Sequence, residues 1–143
     1  MSIWPGICLL FLASAGLGNA HAEKLAKPKP IPFVMQMTTG DSDAQRRAFL
    51  QIDKVLEDLG AQNVKIEVVA YEGGITSLLA DNKDTITLLT ALAQQGVVFK
   101  ACRISMRAND FKDSDFPLEV GYVPAGAPEM IRLQMKGHRY WRP

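Results

Sequence analysis

Cys102 is the residue best suited to chemistry. It closes an apolar run, Val97-Val98-Phe99-Lys100-Ala101-Cys102, and the polar segment Arg103-Ile104-Ser105-Met106-Arg107 follows at once. A thiol at the start of a helix faces unpaired backbone N–H groups and the positive end of the helix dipole, and both favour thiolate. Arg103 and Arg107 add positive charge close by in sequence, and Ser105 offers a hydroxyl donor. Thiolate is the species that attacks sulfur or carries a persulfide. The same run supports an opposite reading. Free cysteine is among the most buried residue types, and one that ends an apolar strand serves as inert packing.

Other constellations carry less. Glu72-Gly73-Gly74 lacks the glycine fingerprint and the lysine of a phosphate loop, and reads as a turn that lets the backbone pass close to the site. His138 makes a Cys-His pair conceivable, but its place after a helix end favours a solvated cap. Met35, Met37 and Met106 with Cys102 are soft-metal donors, yet strand methionines usually fill cores. Asp110, Asp113 and Asp115 lack the spacing and glycine of a calcium loop and read as a solvated loop. The sequence implies neither a metal nor a cofactor. A thiol oxidoreductase is disfavoured, because there is no Cys-x-x-Cys pair.

The elements that must position Cys102 follow from periodicity. Residues 33–38 alternate as a strand, and Thr39-Gly40-Asp41 breaks it. A helix follows, with Asp41 or Ser42 as N-cap and Gly60 just past its end. Ala44, Ala48, Phe49, Ile52, Val55, Leu56 and Leu59 step at three and four to form its inner stripe. Residues 64–71 predict a second strand, half-exposed early and buried late. Residues 75–80 predict a short helical turn. Asp81 or Asn82 caps a helix over 83–95, ended by Gly96. The strand 97–102 comes next, then a short helix over 104–111 and a loop over 112–117. A strand over 119–123, a helix over 128–136 and a last short strand over 138–142 complete the chain. Pro128 and Glu129 suit the start of that helix, and Lys136 suits its end.

Strands alternating with helices predict a mainly parallel sheet of about five strands, covered on both faces. In such a sheet the carboxyl ends of the strands meet at one edge, where ligands bind. That edge collects Thr38, Thr39, Asp41, Tyr71, Glu72, Gly73, Gly74, Cys102, Arg103, Pro124 and Ala125.

The chain of 143 residues holds one domain, over 33–143. Residues 1–22 read as a signal peptide. Residues 7–17 are nearly all apolar, and Ala20-His21-Ala22 has the small-x-small form of a cleavage site. An uncleaved anchor is the alternative, because Met1 to Gly6 carries no Lys or Arg. Export to the periplasm is expected, with no stable membrane association after cleavage behind Ala22. Residues 23–32, with three lysines and three prolines, read as a flexible linker. Cys8 lies in the signal, which leaves Cys102 as the one mature cysteine. Sixteen Lys and Arg against fifteen Asp and Glu leave a net charge of +1, which offers no basic excess for nucleic acid.

Four segments together resemble the DsrE/DsrF-like family. They are Val68-Val69-Ala70-Tyr71-Glu72-Gly73-Gly74 with Leu78-Leu79; Leu92-Ala93-Gln94-Gln95-Gly96 running on into Cys102; Val123-Pro124-Ala125-Gly126 with Ile131, Leu133-Gln134 and Gly137; and Tyr140-Trp141-Arg142-Pro143. The resemblance covers residues 33–143. It implies a three-layer α/β/α domain with a parallel sheet, assembled into homo- or hetero-oligomers, often trimers or hexamers. Some members pass sulfur along a relay as a persulfide on one cysteine, and Cys102 matches that cysteine by position. Relay members act in the cytoplasm, whereas this chain carries an export signal. Tyr71-Glu72 stands where relatives often have His or Asn followed by Gly-Pro. Two functions follow as expectations. The first is a periplasmic sulfur carrier or sulfurtransferase working through Cys102, with a protein sulfur donor and acceptor. Arg103, Ser105, Arg107, Thr39, Tyr71, Glu72, Gly73 and Gly74 would support its thiolate or bind its substrate. The second is a non-catalytic oligomeric binding or assembly module in which the cysteine is structural.

Overall fold

The structure is a computed structural model that describes Met1 and residues 27–143. The expected signal segment from residue 2 onward and the first linker residues, 23–26, lie outside the described residues. Residues 27–30 are exposed and without regular structure. Ile31 and Pro32, expected in the linker, already belong to the first strand.

Five strands form one all-parallel sheet: β1 (Ile31–Met37), β2 (Val64–Ala70), β3 (Val98–Cys102), β4 (Val120–Val123) and β5 (Arg139–Trp141), in the order β4-β3-β2-β1-β5. The helices are α1 (Ser42–Leu59), α2 (Ile86–Gln94), α3 (Arg103–Ala108) and α4 (Gly126–Met135). A 3₁₀ segment, Glu72–Leu78, precedes α2. The expected three-layer α/β/α architecture is therefore observed.

The right-handed crossover rule accounts for the layers. From β1 to β4 the chain steps one way across the sheet, so its crossovers fall on one face. After β4 it must return past three strands to reach the far side of β1. The same handedness then puts α4 on the opposite face. The first face holds most of the core: Met35, Met37, Ile66, Val68, Ala70, Phe99 and Ala101 pack against Phe49 and Ile52 of α1 and Leu89 and Leu92 of α2. Phe49 and Phe99 meet as a tilted pair with ring centres 5.4 Å apart, worth about 1 kcal/mol beyond the burial itself. The second face has a smaller core of Val34, Val69, Val123, Met130 and Leu133. Because side chains alternate along a strand, Glu67, Lys100 and Cys102 also point to this second face.

Several boundaries depart from the sequence expectation. Asp41 does cap α1, its Oδ1 accepting from Ala44 N–H at 2.7 Å. Leu59, expected on the inner stripe, is exposed, while Gln45 is fully buried. Helix α2 begins at Ile86 rather than residue 83. Asn82 makes a local turn by accepting from Asp84 N–H, and the N-cap is Thr85 rather than Asp81 or Asn82. The Thr85 hydroxyl donates to Ser77 O at 2.9 Å, so it ties the helix start to the 3₁₀ segment. Helix α3 starts one residue early and ends at Ala108, and α4 starts two residues early, at Gly126. Both shifts bring a helix start onto Cys102.

Candidate functional site

Sheet register sets the site. Met37, Ala70, Ala101 and Tyr122 lie in one row across four strands. The residues that follow them, Thr38, Tyr71, Cys102 and Val123, therefore form the carboxyl edge. Cys102 is the last residue of β3 and the N-cap of α3.

The thiol is 3% exposed and sits in a cradle of donors. Gly126, the first residue of α4, donates its N–H to Cys102 Sγ at 3.2 Å. The backbone N–H groups of Ser105 and Ile104 and the Ser105 hydroxyl, in the first turn of α3, also act to lower the thiol. Burial pushes the thiol up, but these four hydrogen bonds outweigh it and bring Cys102 below its ordinary value. Two helices thus begin at one sulfur, from chain segments 24 residues apart. The Ser105 oxygen also accepts from Glu72 N–H at 2.8 Å. Glu72 holds a left-handed backbone at φ +50°, uncommon for a residue with a side chain.

Tyr71 lies on the other side of Gly126. A Cβ added to Gly126 would sit 2.6 Å from Tyr71 ring atoms, so only glycine allows this helix start so near the ring. The Tyr71 hydroxyl accepts from Gln36 Nε2, and the Gln36 oxygen accepts from the Tyr140 hydroxyl. Burial, with Glu72 and Tyr140 adding to it, pushes the Tyr71 phenol above its usual value despite the Gln36 bond.

The remaining expected site residues divide among three other places. Arg103 pairs with Asp113, with Nη2 3.0 Å from Oδ2, and its guanidinium lies 3.9 Å over the Tyr122 ring. Arg107 is exposed in the last turn of α3. Gly73, Gly74 and Thr39 gather at the end of β1. A Cβ on Gly74 would lie 2.1 Å from Met37 O. Gln45 joins this cluster from α1, its amide donating to Thr39 O at 2.7 Å, Thr76 Oγ1 at 2.8 Å and Gly73 O at 3.3 Å. Sequence reading passed over Gln45, although its spacing to Phe49, Ile52 and Leu56 puts it on the buried stripe. A crevice of about 160 Å³ at the carboxyl ends of β1 and β5, against α1, is lined by Thr38, Thr39, Ala44, Arg142 and Pro143 among others.

A second polar cluster lies under α4 and was also missed. Lys100 Nζ stands 2.8 Å from Glu67 Oε2 and 3.1 Å from Glu129 Oε1. Glu129 also pairs with Arg132 at 2.9 Å. Glu67 was expected on a half-exposed stretch and is buried. His138 was expected as a solvated cap. Its ring instead lies between Leu133 O at 3.0 Å and Glu67 Oε1 at 3.2 Å. Burial pushes the Glu67 carboxyl up, but Lys100, His138 and Lys65 outweigh it and hold it low. Glu129 is likewise held low by Lys100 and Arg132 against its burial. The signal was present in the sequence as a lysine inside an otherwise apolar strand. Among the described residues no group of three or more His, Cys, Asp or Glu could hold a metal ion.

The comparisons agree with this architecture. The model of the DsrE/DsrF-like family matches residues 32–142. MTH1491 of Methanobacterium thermoautotrophicum, solved as a protein of unknown function, superposes with a TM-score of 0.72 at 29% identity. The match covers 78% of this chain and 98% of that one. No curated protein matches the chain.

Proposed function

Since the chain belongs to the DsrE/DsrF-like family, we propose that Cys102 accepts sulfane sulfur as a persulfide and hands it on. The observation that carries this reading is the Gly126 N–H bond to Cys102 Sγ at 3.2 Å, at a strand end where two helices begin, which favours the nucleophilic thiolate. In the first step the Cys102 thiolate attacks the outer sulfur of a persulfide donor. A bond forms between Sγ and that sulfur, the donor's S–S bond breaks, and the donor leaves as thiolate. In the second step an acceptor thiolate attacks the same outer sulfur, and Cys102 leaves as thiolate. No outside oxidant or reductant is consumed. The cradle serves both steps, since it stabilises Cys102 as nucleophile and as leaving group. The reading includes export to the periplasm, supported by the signal-like residues 1–22, and a homo-oligomer of the trimeric or hexameric kind known in the family.

The 3% exposure of Cys102 favours a second reading, a binding or assembly module with a structural cysteine. Intact-mass analysis of the exported protein, before and after a sulfane-sulfur donor, separates the two. The expected result is an N-terminus at Glu23 and a reducible gain of sulfur in wild type that is absent from Cys102→Ser. No adduct on the folded protein would favour the second reading, and an intact Met1 would overturn cleavage.

A further inference from the structure

We propose that Glu129 and Lys100 are positioning residues that hold the start of α4 over the Cys102 thiol. This rests on the thiolate reading above and names what keeps one of its donors in place. A backbone N–H at the first residue of a helix is only as well placed as the helix end that carries it. The N-cap of α4, Ala125, makes no side-chain capping bond. Glu129, three residues after Gly126, fastens the first turn by an ion pair, its carboxylate 3.1 Å from Lys100 Nζ. Lys100 stands two residues before Cys102 on the same strand and the same face. The ion pair and the bond from Gly126 N–H to Sγ are thus two rungs between one strand and one helix.

The rest of the cluster extends the lower rung across the sheet. Lys100 Nζ also lies 2.8 Å from Glu67 Oε2 of β2, an ion pair on its other side. Glu67 reaches His138 Nε2 at 3.2 Å, and His138 Nδ1 lies 3.0 Å from Leu133 O near the far end of α4. The helix is therefore tied near both ends. Tyr71, packed against Gly126, limits movement of the helix start on its side. Only 22% of the Lys100 side chain and 13% of the Glu129 side chain are exposed, so water screens this pair far less than a surface pair.

Thiolate titration by ultraviolet absorbance tests the proposal, with Cys102→Ser as blank. Taking a negative charge from near a thiol, by Coulomb's law alone, makes thiolate easier to form. Loss of positioning does the opposite, because the Gly126 bond weakens. Glu129→Gln is expected to raise the Cys102 midpoint by about one pH unit, the scale of one charge-assisted hydrogen bond. Glu129→Asp keeps the charge but is one methylene shorter, and is expected to raise it by a smaller amount. It carries the test if Glu129→Gln does not fold. A purely structural ion pair would lower thermal stability in either variant without raising the midpoint. A low wild-type midpoint that stays put or falls in these variants overturns the clamp alone. A wild-type midpoint at the ordinary thiol value overturns the thiolate reading, and the clamp with it.

Discussion

At the scale of single residues, Ser105 has the most to do for its size. Its hydroxyl is one of the donors to Cys102, and its oxygen accepts from Glu72 N–H, so one side chain couples the thiol to the turn after β2. Ser105→Ala is expected to raise the Cys102 midpoint and slow alkylation at neutral pH several-fold, with the fold retained. Alkylation rate against pH checks this, and an unchanged profile would remove the hydroxyl from the cradle. The sign follows from the wild type, where burial raises Cys102 but hydrogen bonding outweighs it and brings the thiol below its ordinary value, so loss of the Ser105 hydroxyl moves it back up. Arg103 shows the limit of sequence proximity. It neighbours Cys102 in the chain, yet its charge is turned to Asp113 and the Tyr122 ring.

At the scale of elements, the junction of α1, the end of β1 and the 3₁₀ segment rests on Gln45. Its amide donates to two carbonyls and one hydroxyl from segments 6 to 31 residues away. Gln45→Leu keeps much of the volume but removes the buried amide's donations to Thr39 O, Gly73 O and Thr76 Oγ1, all in a part-buried site. A loss of about 2 kcal/mol in stability is expected by denaturant unfolding. A loss near zero would mean that the junction holds through packing alone. The close pass of Gly74 by Met37 O belongs to the same junction and explains a glycine there without a phosphate role.

At the scale of the whole molecule, pH dependence should follow the charged cluster between the sheet and α4. Glu67 and Glu129 are held below their ordinary values by Lys100 and its neighbours against the cost of burial. Each contributes stability that is full above the unfolded carboxyl value of about 4.3 and is lost as pH falls through the lower folded value. Lys100 is raised, with Glu67 and Glu129 outweighing its burial. Its contribution is full below the unfolded value of about 10.4 and is lost as pH rises through the higher folded one. Thermal unfolding across pH should therefore show a plateau bounded by these two windows. Lys100→Met should lower the plateau and shrink the acid-side loss, because it leaves two carboxylates facing each other that take up protons more readily in the folded state.

The alternation of strands and helices, the one thiol at a strand end and the glycine stops were all readable in the chain. They depend on period and local chemistry, which neighbouring residues determine, and they were enough to predict the sheet, its layers and Cys102 at its carboxyl edge. The tertiary structure alone decided what meets that thiol. Gly126 N–H reaches Sγ only because the last crossover must return across the sheet on the opposite face. Glu67, Lys100, Glu129 and His138 come from two strands, a helix and a loop, and no local spacing relates them. The buried places of Glu67 and His138 were illegible for the same reason. A polar residue is read as exposed until the fold supplies its partners, and here those partners lie up to 71 residues away.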